Sequence, residues 1–404
     1  MVKSTPADCW DVITEFELTP AHRTHRETVR DFVKSEVEPA VDKYEEDGEF
    51  PEDLVRLLGE EGLSGVPYPE EYGGAGLDYR SFVITNEELS RQWKLLAGTI
   101  NVIASLVGYP IYTYGDEWQR EEWLERACVG DWIVSLGMTE PSAGSDVASI
   151  ETTAERDAAT ETKTSEGGDD LIIDGHKVWM TNGHVADFML LVTKTEEGLT
   201  LVGLPEPKEH DGVEFVRNIP CMEGETAIES EVKFHDVRVP ADNIVGKPGE
   251  GLRYALEGLD IGRIGTAAQA VGVAQGAMDD SKEFADERKQ FGRPIREFQG
   301  VGFKLADMAM EVEAARLLTL SAADQRDRGE RVTQEAAMAK TFATDAAMDV
   351  TTEAVQVHGS RGYSKDYDVE RRMRVAKGMQ IYEGTNEINR QVISDRLYGV
   401  KTDG

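Results

Sequence analysis

Residues Gln380 to Arg390 read QIYEGTNEINR, which sets one acid, Glu383, after the apolar pair Ile381-Tyr382 and before Gly384-Thr385. A carboxylate on an apolar approach, followed at once by glycine, is desolvated on one side, which raises its pKa and suits it to take a proton. Gly384 lets backbone come close to a ligand, and Thr385 or Asn386 is placed to cap a helix through Ile388, Val392 and Leu397. The same residues also describe an ordinary loop-to-helix junction with a solvated glutamate, because perturbed acids are often structural.

Working outward, the chain divides by pattern into three regions. Residues 1–131 read as helical after a polar arm ending near Glu17, with Val29, Phe32, Val33 and Val37 on one stripe and a stop at Pro39. Leu54 to Leu58 open another helix, and Val66 to Gly76, VPYPEEYGGAG, is punctuated as a loop. Helical pattern returns across Phe82–Leu89 and Ile100–Leu106. From Trp132 strand signals take over, as in LIIDGHKVWM, FMLLVTKT and EVKFHDVRV, which predicts an antiparallel β unit over 132–243. Asp174-Gly175 between apolar runs predicts a hairpin turn, and the acidic segment Glu155 to Asp170 a solvated excursion. Residues 244–404 are helical again, rich in Ala and Gly across Gly262–Phe284 as close-packed helices require, with long amphipathic stretches at Val301–Gln325 and Glu335–His358.

The 404 residues carry 43 Lys+Arg against 77 Asp+Glu, a formal charge of −34 spread along the chain, so nucleic acid and anionic membrane are expected to be repelled. Lysine is scarce beside arginine while Ala, Thr, Asp and Glu abound, a balance expected of an extreme halophile, where molar salt cuts the Debye length to about 3 Å. Cys9, Cys128 and Cys221 are odd in number and far apart, which predicts neither a disulfide framework nor a metal site. No apolar run is expected to approach membrane-spanning length and no signal peptide is evident, so the expected location is the cytoplasm.

Four further segments carry chemistry. LGMTEPSAGSDV, Leu136 to Val147, runs a strand into a loop dense in hydroxyl and backbone donors suited to an anionic or heteroaromatic ligand, or is a plain polar turn. VWMTNG, Val178 to Gly183, pairs an indole with a threonine hydroxyl, although a Trp in a β region is usually core. DERKQFGRPI, Asp286 to Ile295, gathers Arg288, Lys289 and Arg293 into a cationic turn that fits a pyrophosphate or complements a helix dipole. AVQVHGSRGYSKDY, Ala354 to Tyr367, ends a helix at Gly359. No GxGxxG occurs, which argues against a nicotinamide-binding unit.

Taken in order, PEEYGGAGLDY, TEPSAGSD, WMTNG, ERKQFG, Gln356-x-x-Gly359 and IYEGTNEI resemble the acyl-CoA dehydrogenase family from about residue 20 onward, with Gly258–Leu397 most similar to short-chain, butyryl-CoA-type members. The resemblance implies an N-terminal all-α domain, a middle antiparallel β domain and a C-terminal four-helix bundle, assembled as a homotetramer, a dimer of dimers, with one FAD per subunit. It implies α,β-dehydrogenation of an acyl-CoA thioester, with Glu383 taking the α-proton, the β-hydrogen leaving as hydride to flavin N5, and electrons passing to an electron-transferring flavoprotein.

Site roles follow from the same resemblance. Leu136, Met138, Thr139 and Ser145 match residues facing the flavin and its phosphates, Ser145 also lying near CoA, while Trp179 and Thr181 match the pair at the isoalloxazine. Arg288, Phe291 and Gln299 match residues gripping FAD, Arg288 on the pyrophosphate from a neighbouring subunit; Gln356 and Gly359 match a second inter-subunit contact to its adenine half, and Thr385 and Glu387 match the final FAD contacts. Asp260 and Arg263 resemble residues meeting CoA, and Tyr382 and Gly384 lie beside the thioester. A minority of the family places the base at the position of Gly262, where this chain has no side chain to offer.

Departures from the family pattern fall at Ser360, Val375 and Phe298, which bear on FAD affinity or subunit contacts, and across Cys221–Val232 and Trp93–Pro110, which bear on the acyl pocket or partner docking. Two other readings keep the fold: a flavin oxidase or monooxygenase reoxidised by oxygen, and a non-enzymatic flavoprotein binding module.

Overall fold

The computed structural model describes residues 18–157 and 170–399. The arm expected up to Glu17, Cys9, and most of the excursion expected between Glu155 and Asp170 lie outside the described residues. Helix α1 (Pro20–Phe32) starts at a reciprocal box: the Thr19 hydroxyl accepts from the His22 N–H and the His22 ring accepts from the Thr19 N–H, with Pro20 in the first turn. Its inner face joins Val29 and Phe32 to a core shared with α2 (Val41–Asp47) and α3 (Glu52–Glu60) through Leu54 and Leu58. Helix α4 (Tyr79–Gln92) is capped by Asp78, whose carboxylate accepts from the Ser81 N–H at 2.9 Å.

Helix α5 (Lys94–Asn101) continues through a wider turn at Val102–Val107 into α6 (Gly108–Tyr114). This run is long and apolar enough to cross a membrane, contrary to expectation, but 83% of its apolar window is buried inside the protein, the position of a core helix. Short helices α7 (Glu117–Gln119) and α8 (Glu125–Cys128) lead into the sheet.

Eight strands follow: β1 (Val134–Gly137), β2 (Thr153–Arg156), β3 (Asp170–Thr181), β4 (Phe188–Thr195), β5 (Gly198–Pro205), β6 (Val213–Asn218), β7 (Glu229–Pro240) and β8 (Ile244–Val245). Their order is β6-β7-β3-β2-β4-β5-β8, with β1 beside β4. The sheet is mostly antiparallel, but β1 pairs with β4 in parallel, and β2 meets β4 in parallel at Thr153 and Lys194. Asp174-Gly175 is not a hairpin turn. Both residues lie inside β3, which shifts register against β7 between Ile173 and Gly175. Glycine is required there because a Cβ would stand 2.3 Å from the Thr152 hydroxyl, and the extra residue of the bulge is on β7, between Phe234 and Val237.

The remainder is helical: α9 (Gly251–Glu287), α10 (Gln299–Asp327), α11 (Thr333–His358), α12 (Asp368–Met379) and α13 (Asn386–Leu397), with a small hairpin of β9 (Lys289–Gln290) and β10 (Arg293–Pro294) between α9 and α10. The expected close packing of α9 is explicit: a Cβ at Gly272 would lie 2.2 Å from the Glu87 carbonyl oxygen, so α4 and α9 touch backbone to backbone. Val83 and Ile84 of α4 therefore share one core with Ala267, Ala270 and Ala274 of α9 and Ala336, Ala343 and Ala347 of α11. The N-terminal helices and the bundle form a rigid wall against which the last loop is set.

Candidate active site

That loop joins α12 to α13. The Tyr382 N–H donates to the Gly378 carbonyl at 3.2 Å and the Asn386 N–H to the Gln380 carbonyl at 3.0 Å, closing a tight bend. Glu383 and Gly384 then take left-handed backbone, φ 56° and 83°, and Thr385 caps α13 by accepting from the Ile388 N–H at 3.2 Å. A glutamate in that conformation is strained by about 1–3 kcal/mol, and such strain persists where surrounding contacts enforce it. They do so here. Arg263 Nε donates to the Glu383 carbonyl at 3.3 Å, and the Gly384 carbonyl accepts from Lys340 Nζ at 2.8 Å and Asn389 Nδ2 at 2.7 Å.

The Glu383 carboxylate rests on α9 at Gly262, where a Cβ would stand 2.9 Å from each of its oxygens. Its Oε2 is buried without a hydrogen-bond partner, as is the hydroxyl of Tyr382 beside it. Burial pushes the Glu383 pKa up to about 7, with Arg263 and Lys340 pulling the other way. The Glu383 N–H makes no hydrogen bond among the described residues, so it remains a donor for a ligand. This is the desolvated acid expected from the sequence rather than a solvated one. Arg263 also donates to Asp260 at 2.8 Å, and Asp260 accepts from Thr333 at 2.5 Å, so the pair expected to meet CoA is buried and holds the Glu383 loop to α9.

The β-sheet offers a second surface. β3 shifts register again between Lys177 and Met180, and there Trp179, at φ 58°, is turned out with 53% of its surface exposed. Thr181 follows on the same strand, and the Val178 N–H donates to the Thr139 carbonyl at 2.9 Å, which joins β3 to the loop after β1. Leu136 within β1 is partly buried, and the loop carries Met138 buried, Thr139 partly buried and Ser145 exposed. Beneath it Glu140 accepts from the N–H groups of Glu151 and Thr152, at 2.7 and 2.9 Å, and from Lys177 Nζ at 2.8 Å. Burial raises the Glu140 pKa, but these donors outweigh it and hold the carboxylate below its usual range. An uncovered indole beside hydroxyls and backbone donors fits a flavin and its phosphates.

Lys94 connects the two surfaces. It pairs with Glu223 at 3.0 Å, and its ammonium lies 4.9 Å from the Tyr382 ring centroid. Nearby Glu229, which accepts from the Thr181 hydroxyl at 3.0 Å, is pushed by burial up to about 7, with Lys94 lowering it and Glu223 raising it. The two segments that depart from the family pattern thus meet at this spot. Their pairing was invisible in the sequence, and so were Glu140–Lys177 and Lys340. The available signal was a single lysine in an alanine-rich helix stretch, AMAKTFATDAA.

The remaining expected residues gather elsewhere. Arg288, Phe291 and Gln299 stand exposed around the β9–β10 hairpin, Phe291 at 94%, and Gln356 and the left-handed Gly359 are exposed close by, where Val357 packs on Ile295. Arg288 follows Gly262 by 26 residues of one helix, about 39 Å at 1.5 Å per residue, so one chain does not bring this group to its own Glu383. Thr385 and Glu387 belong to the Glu383 loop and the first turn of α13. Among the described residues no cluster of three His, Cys, Asp or Glu side chains could hold a metal ion, and Cys128 and Cys221 are free thiols.

Comparison with known proteins fits this geometry. The N-terminal, middle and C-terminal domain models of acyl-CoA dehydrogenase match residues 19–131, 135–237 and 249–398. A short-chain specific acyl-CoA dehydrogenase of Clostridium acetobutylicum is 38% identical over 95% of this chain and 100% of its own. The butyryl-CoA dehydrogenase structure from Megasphaera elsdenii superposes with a TM-score of 0.89 at 36% identity, covering 95% and 99% of the two chains. A chain from a structure concerning the electron transferring flavoprotein of Acidaminococcus fermentans and flavin-based electron bifurcation reaches 0.90 at 40% identity, covering 95% and 99%. With three domain models in register and full-length relatives of this similarity, the chain is an enzyme that belongs to the acyl-CoA dehydrogenase family.

Proposed function

We propose that this enzyme converts a short-chain acyl-CoA thioester to its trans-2-enoyl-CoA, with Glu383 as the α-proton base. The observation that carries the reading is the Glu383 carboxylate itself: its Oε2 buried and unpartnered, near neutral in pKa and seated on α9 where only a glycine leaves space for it. A base with a pKa near the working pH combines availability with driving force. The α-proton of a thioester is acidic enough to leave only if its carbonyl oxygen is held, and the free Glu383 N–H is a donor at the same residue.

FAD, when bound, supplies the acceptor for the β-hydride, which no side chain can be. Trp179, Thr181, Leu136, Met138, Thr139 and Ser145 would hold its flavin and phosphates, with Thr385 and Glu387 on the other wall. Arg288, Phe291, Gln299, Gln356 and Gly359, far from Glu383 in one chain, would grip the FAD of another copy, which supports a homotetramer. Electrons would leave to an electron-transferring flavoprotein. The charge of −34 supports a cytoplasm of molar salt as the working environment, and a melting temperature unchanged in dilute buffer would contradict it.

The test is an anaerobic titration of the flavin absorbance with butyryl-, isobutyryl-, isovaleryl-, octanoyl- and glutaryl-CoA. Bleaching by butyryl-CoA at the lowest concentration is expected. Bleaching by none of them would refute the dehydrogenase reading, and rapid reoxidation in air without the flavoprotein acceptor would point to an oxidase.

A further inference from the structure

Lys340 is fully buried in α11, among Ala336, Ala337, Ala339 and Ala343, and makes no salt bridge with a carboxylate among the described residues. A buried ammonium without an ion-pair partner is among the costlier arrangements a fold can hold. Both its assigned donations go to one place: to the Gly384 carbonyl at 2.8 Å and to Asn386 Oδ1 at 2.9 Å, on either side of Thr385. Asn386 is oriented for this by donating to Asp345 at 2.8 Å and Thr344 at 3.0 Å. On the opposite wall Arg263 holds the Glu383 carbonyl, so two cations from two helices fix successive carbonyls of the left-handed pair.

We propose that Lys340 is a positioning residue for the reaction: it clamps the Gly384 carbonyl so that Glu383 keeps its carboxylate over Gly262, and it sets a buried ammonium without a counter-charge against the Glu383 loop. The inference rests on the reading of Glu383 as the base. The charged and titratable groups around Glu383 are Arg263 and Asp260 from α9, Lys340 and Asp345 from α11, Glu387 from α13, and Tyr382 with Lys94 behind it. Of these, Arg263 already has Asp260 at 2.8 Å to balance it, whereas Lys340 has only neutral acceptors. Burial draws Lys340 down to about 7, and the Glu383 charge is foremost among the influences that raise it again, so each charge supports the other.

The experiment follows deuterium exchange at the α-carbon of an acyl-CoA that lacks β-hydrogens, in D₂O across pH 5 to 9, on the FAD-loaded enzyme. The C–H bond breaks, its electron pair stays on the thioester, the proton goes to the Glu383 carboxylate, and a deuteron returns, so no electron acceptor is needed. Wild type should exchange with a limb rising through about pH 7. Lys340→Met should lower the plateau by about tenfold or more and move the limb to higher pH, while acyl-CoA binding persists. Lys340→Gln, which retains a donor without the charge, should recover part of the plateau and keep the shifted limb. A Lys340→Met limb at the wild-type pH overturns the proposal, as does a loss explained wholly by lower FAD content and melting temperature. If Lys340→Met does not fold, an unshifted limb in Lys340→Gln overturns it alone. Glu383→Gln in the same assay separates the two claims: exchange at the wild-type rate would refute the base itself, whereas a dead Glu383→Gln beside a normal Lys340→Met would refute only the role of Lys340.

Discussion

The loop after β1 and the loop before α13 each bury a glutamate near a lysine, and the two glutamates are driven opposite ways. Glu140 receives Lys177 and two backbone N–H groups, and its carboxylate is held ionised below its usual range. Glu383 receives no donor on Oε2, its cations are spent on neighbouring carbonyls, and burial raises it to about 7. The lesson is that the destination of the donors, not burial itself, separates a carboxylate that organises a loop from one that can exchange a proton. Glu229 shows why pKa alone is insufficient. It too rises to about 7, yet its carboxylate accepts from the Thr181 hydroxyl and lies near the Lys94–Glu223 pair, whereas Glu383 Oε2 has no partner.

The largest effect is expected at Glu383. Glu383→Gln removes the proposed base and should cost about 10²–10⁴-fold in the rate of flavin reduction while FAD and acyl-CoA still bind, as read by stopped-flow and ligand titration. Lys177→Met should act on stability instead. It strands Glu140 as an unpaired buried charge, a loss of about 3–5 kcal/mol, visible as a lower melting temperature and weaker FAD retention with an unshifted pH profile of the remaining active enzyme.

Gly262→Ala tests the seat of the base. The new Cβ would stand 2.9 Å from both carboxylate oxygens, so Glu383 must move, and misplacement of that order costs up to about 10²-fold in turnover with little change in fold. Near-normal turnover would mean the carboxylate is not seated there during reaction. The smallest effect is expected at Glu229. Its folded pKa is raised, so the native state keeps a proton that the unfolded chain releases near 4.5; stability is lost as pH rises toward 7 and stays lost above it. Glu229→Gln should therefore melt higher than wild type above pH 7 and equal to it below about pH 4.5, by calorimetry.

Much of this contrast was legible in the sequence because it is local. The apolar pair, the acid, the glycine and the threonine cap of QIYEGT lie within six residues, and the structure turns them into the bend, the strained acid and the α13 N-terminus. Asp174-Gly175 misled because the hairpin rule assumes glycine is chosen for positive φ. Gly175 is instead chosen for lack of a side chain beside Thr152, a residue brought in by another strand. Lys94 and Glu223 stand 129 residues apart, and Lys340 reaches a loop 44 residues on; nothing local marks such partners. Asp260 and Arg263 were found as a pair, but their anchoring of the base loop depended on a bend that only the fold supplies.

The most direct test of Glu383 as the base is the anaerobic rate of flavin bleaching by butyryl-CoA, measured from pH 5 to 9 for wild type and Glu383→Gln. The account predicts a wild-type rate that falls as pH drops through about 7, and a variant that binds the thioester but bleaches orders of magnitude more slowly at every pH. A variant that bleaches at close to the wild-type rate, with the same limb near pH 7, would contradict it.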